Sequence, residues 1–355
     1  MPGAAQHFPD AASLERDTGC DLSLHECPDC GLLQLPGEPV PYYREVIRAA
    51  AFSSDMRAFR VKQLQQWIDQ YELGGKRVLE VGCGRGEYLT LLAGCGVSAV
   101  GLEDGAGAVA QCRQAGLEAF PGFPDANLPR LPGAPFDGFM TLNFMEHWPA
   151  PIETLRAIQG QLAPGAIGLV EVPNLDMVLQ EGLFSEFIRD HLSYFTRQTF
   201  SAALVRAGFE VLSLDSVWHD YILSAVVRKR VPTDLSALHA QQARITRNLH
   251  DFIAQFAPRS VAVWGAGHQA LAVMALAGLK PYLRYVVDSA PFKQGKFTPA
   301  THLPIVAPTH LIHDPVEAVI VMAAAYSDEV ARTIRERHGA NMAVAILRPH
   351  GLETA

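Results

Sequence analysis

The sequence predicts an α/β protein built on two sheets, a doubly wound one and a second, smaller one, behind a small irregular N-terminal module. Three observations carry this. Apolar runs of strand length alternate with helical patterns from Arg77 onward. The alternation breaks at a long amphipathic stretch beginning at Leu235 and then starts afresh. Each series opens on a strand that runs into a glycine-rich turn and a helix.

Taken in order, the first fifty residues hold little periodic pattern, and "GLLQLPGEPVPYYREVIRAA" is a short apolar piece punctuated by prolines. From Ser53 to Tyr71, Met56, Phe59, Val61, Leu64, Trp67 and Ile68 fall mostly at helical spacing, and Gly74-Gly75 end the helix. Then come "RVLEV" strand, "YLTLLAGC" helix, "SAVGLE" strand, "GAVAQCRQAG" helix, "FDGFMTLN" strand, "PIETLRAIQGQL" helix and "AIGLVEVP" strand. This is the series of a parallel sheet with helices on both faces. "TFSAALVRAGFEVLSLDSVW" and "YILSAVVRK" close that domain. "LSALHAQQARITRNLHDFIAQFA" is an amphipathic helix, after which "SVAVWG", "LRYVVD", "AVIVMAA" and "MAVAILR" supply the strands of the second unit. The expected division is 1–50, 51–230 and 231–355.

Composition removes several function classes. A formal charge of -8, with a single short basic run at Arg228 to Arg230, argues against a nucleic-acid-binding face, which needs clustered Lys and Arg. No apolar run reaches the roughly 18 residues of a membrane span. "MPGAAQHFPDAASLERD" lacks the basic segment and apolar core of a signal peptide, and six cysteines in 355 residues do not make a secreted disulfide framework. A cytoplasmic protein is expected, acting as a monomer or homodimer on a small molecule.

The first glycine turn, "EVGCGRG", follows the order acid-x-G-x-G-x-G rather than the G-x-G-x-x-G of a dinucleotide site. Gly82, Gly84 and Gly86 let the backbone approach a ligand closely. Glu80 stands where a pyrophosphate would bring negative charge, so a cationic ligand suits the site better. S-adenosylmethionine (SAM) is such a ligand. The second strand ends "VGLED", and Glu103 there is suited to accept both ribose hydroxyls, with Asp104 beside it and Asn143 at the end of the "FDGFMTLN" strand as further cofactor contacts. With these features the chain resembles the class I SAM-dependent methyltransferases.

Three further segments narrow the resemblance. "HECPDCGLLQL", "FIRDHLSYFT" and "WGAGHQALAVMALAGL … YVVDSAPFKQGKFTPATHLPI" together look like the sugar C-methyltransferases, which act on nucleotide-linked keto-deoxysugars. The resemblance implies a zinc-binding module, a SAM domain and a C-terminal Rossmann-like domain, with His191 as general base. Deprotonating a carbon beside a ketone needs a base near that carbon and a group that steadies the enolate oxygen. Asp190 stands where the family has glutamate and would orient His191 or hydrogen-bond the sugar, while Tyr194 would line the pocket. His147, in "NFMEHW", is a second candidate base, or else caps the helix after it. Ile188 and Arg189 depart from the family's tyrosine and histidine, and Phe52 stands where a tyrosine is usual. These departures keep open an O- or N-methyltransferase acting on another small metabolite, and, further off, a non-catalytic SAM-binding protein.

Cys27-x-x-Cys30 has the spacing of half a zinc site. With the family's upstream cysteine pair absent, Cys20 and a histidine, His7 or His25, are the remaining ligands on offer. The alternative is a module that packs "GLLQL" on the SAM domain without metal. In the C-terminal unit, "WGAGHQA" lacks a third glycine at dinucleotide spacing. Asp288 matches the ribose-binding acid of an NAD domain, but a SAM enzyme needs no nicotinamide. The unit is expected to wall the acceptor cleft, with Lys293 or Lys296 either near a nucleotide diphosphate or simply exposed on a loop.

Overall fold

A computed structural model describes residues 1–5, 8–45, 53–338 and 342–354. Phe52 and His7 lie outside the described residues. The chain divides into two compact units, Met1–Pro232 and Thr233–Ala355.

The first unit contains β1 (His25–Glu26), β2 (Leu33–Gln34), α1 (Ser54–Gln70), β3 (Arg77–Val81), α2 (Glu87–Gly94), β4 (Ser98–Glu103), α3 (Ala106–Gln114), β5 (Glu118–Pro121) and β6 (Phe136–Leu142). It continues with α4 (Pro151–Gly160), β7 (Leu162–Pro173), α5 (Leu175–Glu181), β8 (Ser193–Tyr194), α6 (Arg197–Arg206), β9 (Phe209–Val217) and β10 (Ile222–Lys229). Seven of these strands form one sheet in the order β5-β4-β3-β6-β7-β10-β9. The strands β5 to β7 run parallel, and β10 is antiparallel to both β7 and β9.

The two faces of this sheet explain why its strands read as apolar runs rather than alternations. On one face Phe136, Phe139, Leu155, Phe200, Leu204 and Phe209 join α4 and α6 to the strands. On the other, Leu64, Trp67 and Ile68 of α1 and Tyr88 and Leu92 of α2 pack on Met140, Leu142 and Leu169. Helix α1 starts where Ser53 accepts the Met56 amide (3.4 Å), and Thr196 with Thr199 forms a capping box on α6. The strand order reverses between β3 and β6, and the crevice at their carboxyl ends is where ligands of such sheets sit.

Three features differ from the sequence expectation. Strand β5 is an edge strand of four residues beside prolines, too short to show a period, and β7 begins four residues before "AIGLVEVP". The N-terminal segment is less irregular than expected. Strand β2, within "GLLQL", pairs antiparallel with both β1 and β8, setting Leu33 opposite Tyr194, and Leu35 donates to the Leu192 carbonyl (3.0 Å).

The second unit contains α7 (Ser236–Ile253), β11 (Val261–Trp264), α8 (His268–Leu276), β12 (Leu283–Val287), β13 (Ile305–Val306), α9 (His310–His313), β14 (Ala318–Val321), α10 (Ser327–His338), β15 (Ala343–Arg348) and β16 (Gly351–Thr354). Its sheet order is β13-β12-β11-β14-β15-β16, parallel except for β16. Gly265 has φ 116°, and a β-carbon there would meet the Met322 carbonyl oxygen at 2.6 Å, so the glycine serves backbone packing on β14. Asp288 accepts from the Ala266 amide (2.8 Å), the Ala290 amide (2.8 Å) and Lys293 Nζ (2.9 Å). It closes its own loop, and Lys293 is held to it rather than exposed. Among the described residues, no helix is long and apolar enough to cross a membrane.

Candidate active site

The chain leaves β3 through Gly82, Gly84 and Gly86, at φ 72°, 56° and 91°. At Gly86 a β-carbon would lie 2.7 Å from Leu117 Cδ1 and 3.2 Å from Cys112 Sγ, so glycine alone lets the turn settle on α3 and the segment after it. Glu80 is fully buried in β3, in register with Gly101 of β4 and Met140 of β6. Glu103 ends β4 and is also buried. Its Oε2 accepts from the Gly84 amide (2.9 Å) and its Oε1 from the Gly105 amide (3.1 Å). A carboxylate accepts at about four positions, so these anchoring bonds are compatible with ribose hydroxyls as further donors.

Asp104 lies at the rim, 4.0 Å from Arg44 Nη1, and the same guanidinium stands 3.7 Å from Asp125 and over the Phe123 ring at 5.0 Å. Asn143, at φ 50°, turns the chain at the end of β6 and donates its amide to the Glu171 carbonyl (3.0 Å). Its side-chain Oδ1 is buried with no hydrogen-bond partner among the described residues. Acceptor oxygens of Glu80, Glu103 and Asn143 therefore gather at the carboxyl ends of β3, β4 and β6. They suit a ligand that carries an ammonium, a sulfonium and two ribose hydroxyls.

Beyond β6 a single 3₁₀ turn, Met145–His147, carries Glu146 and His147. His147 Nδ1 is 2.8 Å from the Asp190 carbonyl, and α4 has no side-chain cap at its start, so His147 does not cap that helix. The His147 and His191 rings meet edge to face at 4.8 Å. Burial lowers the pKa of His147, and burial together with His147 holds His191 well below the usual histidine range. Both rings are neutral at pH 7 and able to accept a proton. Glu146 is 2% exposed, and burial pushes its pKa up to about 8.

Of the two roles expected for Asp190, the one that orients His191 is not seen. Its carboxylate accepts from Tyr42 OH (2.7 Å) and from the Ala5 amide (2.8 Å), so it fastens the N-terminal segment and does not bond the His191 ring. Tyr194 OH donates to the Ile188 carbonyl (2.9 Å) and accepts from the Ile188 amide (3.0 Å), stapling the turn that carries His191; burial pushes its pKa to about 12. With Glu186, His191 and Ser193 it lines a small pocket.

The sequence reading missed Glu146, Arg44 and the buried pair Arg60–Glu171. The signal for Glu146 was adjacent: it precedes His147 in the quoted "NFMEHW". The described residues do not assemble the expected zinc site, and His7, one of its candidate ligands, lies outside them. Cys27 and Gly31 form a knuckle turn (Gly31 amide to Cys27 carbonyl, 2.8 Å), and backbone donors at Asp29 and Cys30 lower the Cys27 pKa. Cys20, however, points its thiol at the Pro2 carbonyl (3.6 Å). Among the described residues no group of three metal donors includes a cysteine.

A doubly wound sheet with one antiparallel strand, a glycine turn after its central strand and an acid closing the next strand define the class I methyltransferase fold, and the chain is a SAM-dependent methyltransferase. Residues 56–214 match a methyltransferase domain model, and residues 232–346 match the C-methyltransferase C-terminal domain. The chain is 24% identical over 311 residues to the C-methyltransferase NovU of Streptomyces niveus, covering 78% of this chain and 73% of that protein. It is 27% identical over 239 residues to a tRNA U34 carboxymethyltransferase of Methylococcus capsulatus, covering 61% and 69%. A solved structure from Pyrococcus horikoshii superposes with a TM-score of 0.43 at 17% identity, over 54% of this chain and 99% of that one.

Proposed function

We propose that the enzyme methylates an enolisable carbon of a nucleotide-linked keto-deoxysugar, with His191 as general base. The observation that carries the base assignment is the neutral, half-buried His191 ring beside His147, at the carboxyl side of the β3–β6 crevice. C-methylation is supported by the C-terminal domain match and the likeness to NovU; the sugar rests on the resemblance of the three quoted segments.

SAM supplies an electrophilic methyl on a sulfonium. The chain holds it between the glycine turn and the acceptor oxygens of Glu80, Glu103 and Asn143. His191 removes the proton beside the ketone, a step that a neutral imidazole performs and an imidazolium cannot. The N-terminal segment is tied to this turn through Tyr42 and Asp190, and shielding the turn from water would favour attack by carbon over loss of the enolate to solvent.

Thymidine diphosphate 4-keto-6-deoxyglucose incubated in D2O with S-adenosylhomocysteine tests the reading. Exchange at the carbon beside the ketone is expected, and His191→Ala should abolish it. Methyl transfer to oxygen or nitrogen without any exchange would establish the heteroatom methyltransferase instead.

A further inference from the structure

Glu146 has no part in the reading above, yet it is a buried ionisable group at this end of the crevice, 2% exposed. Its carbonyl accepts the Leu192 amide at 2.8 Å, which fixes it against the turn bearing His191. Its Oε1 lies 4.0 Å from His147 Nε2, and its buried Oε2 has no hydrogen-bond partner among the described residues. A carboxylate oxygen of Glu146 and one ring nitrogen from each of His147 and His191 all lie within 4.8 Å of one another. Because His147 Nδ1 faces the Asp190 carbonyl, that nitrogen carries the hydrogen and Nε2 is the basic one, on the side of Glu146.

Among the described residues no Lys or Arg forms an ion pair with Glu146. Leaving a buried carboxylate ionised without a cation costs several kcal/mol, and leaving a buried imidazole protonated is likewise unfavourable. Of the three groups, only the carboxylate becomes uncharged on gaining a proton, whereas a neutral imidazole becomes a cation. A proton arriving in this cluster therefore comes to rest on Glu146.

We infer that Glu146 is the terminal acceptor of the proton that His191 withdraws from the substrate carbon, received across the His191–His147–Glu146 cluster. The inference rests on the proposed C-methylation. The C–H bond breaks and its electron pair stays in the enolate. The proton bonds to the His191 ring, the imidazolium releases one proton, and the Glu146 carboxylate forms an O–H. After methyl transfer that proton leaves to solvent. Glu146 thus acts through His191 as a positioning residue, and it must start ionised.

The sign of the pH dependence follows. The groups around Glu146 are His147 on its own turn, Asp190 and His191 on the facing turn, Tyr194 on β8, and Glu186 with Tyr221. Burial raises Glu146 to about 8, so exchange in the wild type should rise with pH and level off above that value. Glu146→Gln should lower exchange at pH 8.5 by roughly tenfold or more and erase that limb, with S-adenosylhomocysteine affinity unchanged within about twofold. Glu146→Asp should keep the limb at a reduced rate, and it serves as the test should the Gln variant not fold.

The inference is overturned if the limb survives in Glu146→Gln or is lost in Glu146→Asp. It is also overturned if wild-type exchange falls as pH rises through the same region, or if chelation abolishes exchange and a divalent metal restores it. A wild type that exchanges no proton of the ketosugar at any pH defeats the proposed function. Exchange with an unaltered limb in the variant defeats this inference alone.

Discussion

Replacing Glu171 by leucine should unfasten helix α1 from the sheet. Arg60 and Glu171 have side chains 1% and 0% exposed, and Arg60 Nη1 stands 2.5 Å from Glu171 Oε2. Gln63 bridges the pair, accepting from Arg60 (2.7 Å) and donating to the other carboxylate oxygen (2.5 Å), while the Phe59 and Tyr88 rings cover the guanidinium at 5.2 and 5.4 Å. Glu171→Leu leaves an arginine that cannot shed its proton in a dry interior, a loss of about 3–5 kcal/mol. For a unit of this size each kcal/mol moves the melting temperature by roughly 2–4 °C, so the first unit should melt roughly 6–20 °C lower. Arg60→Met should cost less, because a lone carboxyl escapes its charge by taking up a proton. The double variant Arg60→Met/Glu171→Leu removes both charges and should recover most of the loss. Thermal unfolding followed by circular dichroism at pH 7.5 reads all three. A Glu171→Leu transition indistinguishable from wild type, or a double variant as unstable as the worse single one, would refute the reasoning.

Other expectations concern the cofactor loop and the N-terminal segment. Glu103→Gln puts an amide NH2 against the Gly84 or the Gly105 amide, losing a charge-assisted bond worth about 1.5–3 kcal/mol. Calorimetry should then show S-adenosylhomocysteine binding roughly 10- to 100-fold weaker, and unchanged affinity would count against Glu103 as the anchor. Gly86→Ala imposes positive φ on a residue with a β-carbon and drives it against Leu117, so about 1–3 kcal/mol of stability and much of the cofactor affinity should go. Wild-type stability in that variant would mean that the turn relaxes freely. Purified protein should carry far less than one zinc per chain, since the described residues bring no third donor to Cys27 and Cys30. Stoichiometric metal by elemental analysis would reverse that.

What could be read from the sequence and what could not divide by distance along the chain. The strands β3, β4 and β6 are buried on both faces, so their apolar runs are local and plain, and the glycine turn with Glu103 lies within one strand–helix–strand unit. The short edges β5, β13 and β16 carry too few residues to show a period. The pairings that finish the site are remote: Tyr42 to Asp190 spans 148 positions and Arg60 to Glu171 spans 111. A buried arginine inside a helix reads as a surface position until its partner is known, and an acid before a histidine reads as an N-terminal charge for the next helix. The same division explains the zinc expectation. Cys27-x-x-Cys30 is a local pattern and forms its local turn, whereas what holds the segment is β2 pairing with β8 and Asp190 receiving Ala5 and Tyr42. Those contacts fall on the turn that carries His191. The segment that looked like a separate metal module therefore folds over the turn that carries His191, and loosening it with Tyr42→Phe should expose that turn.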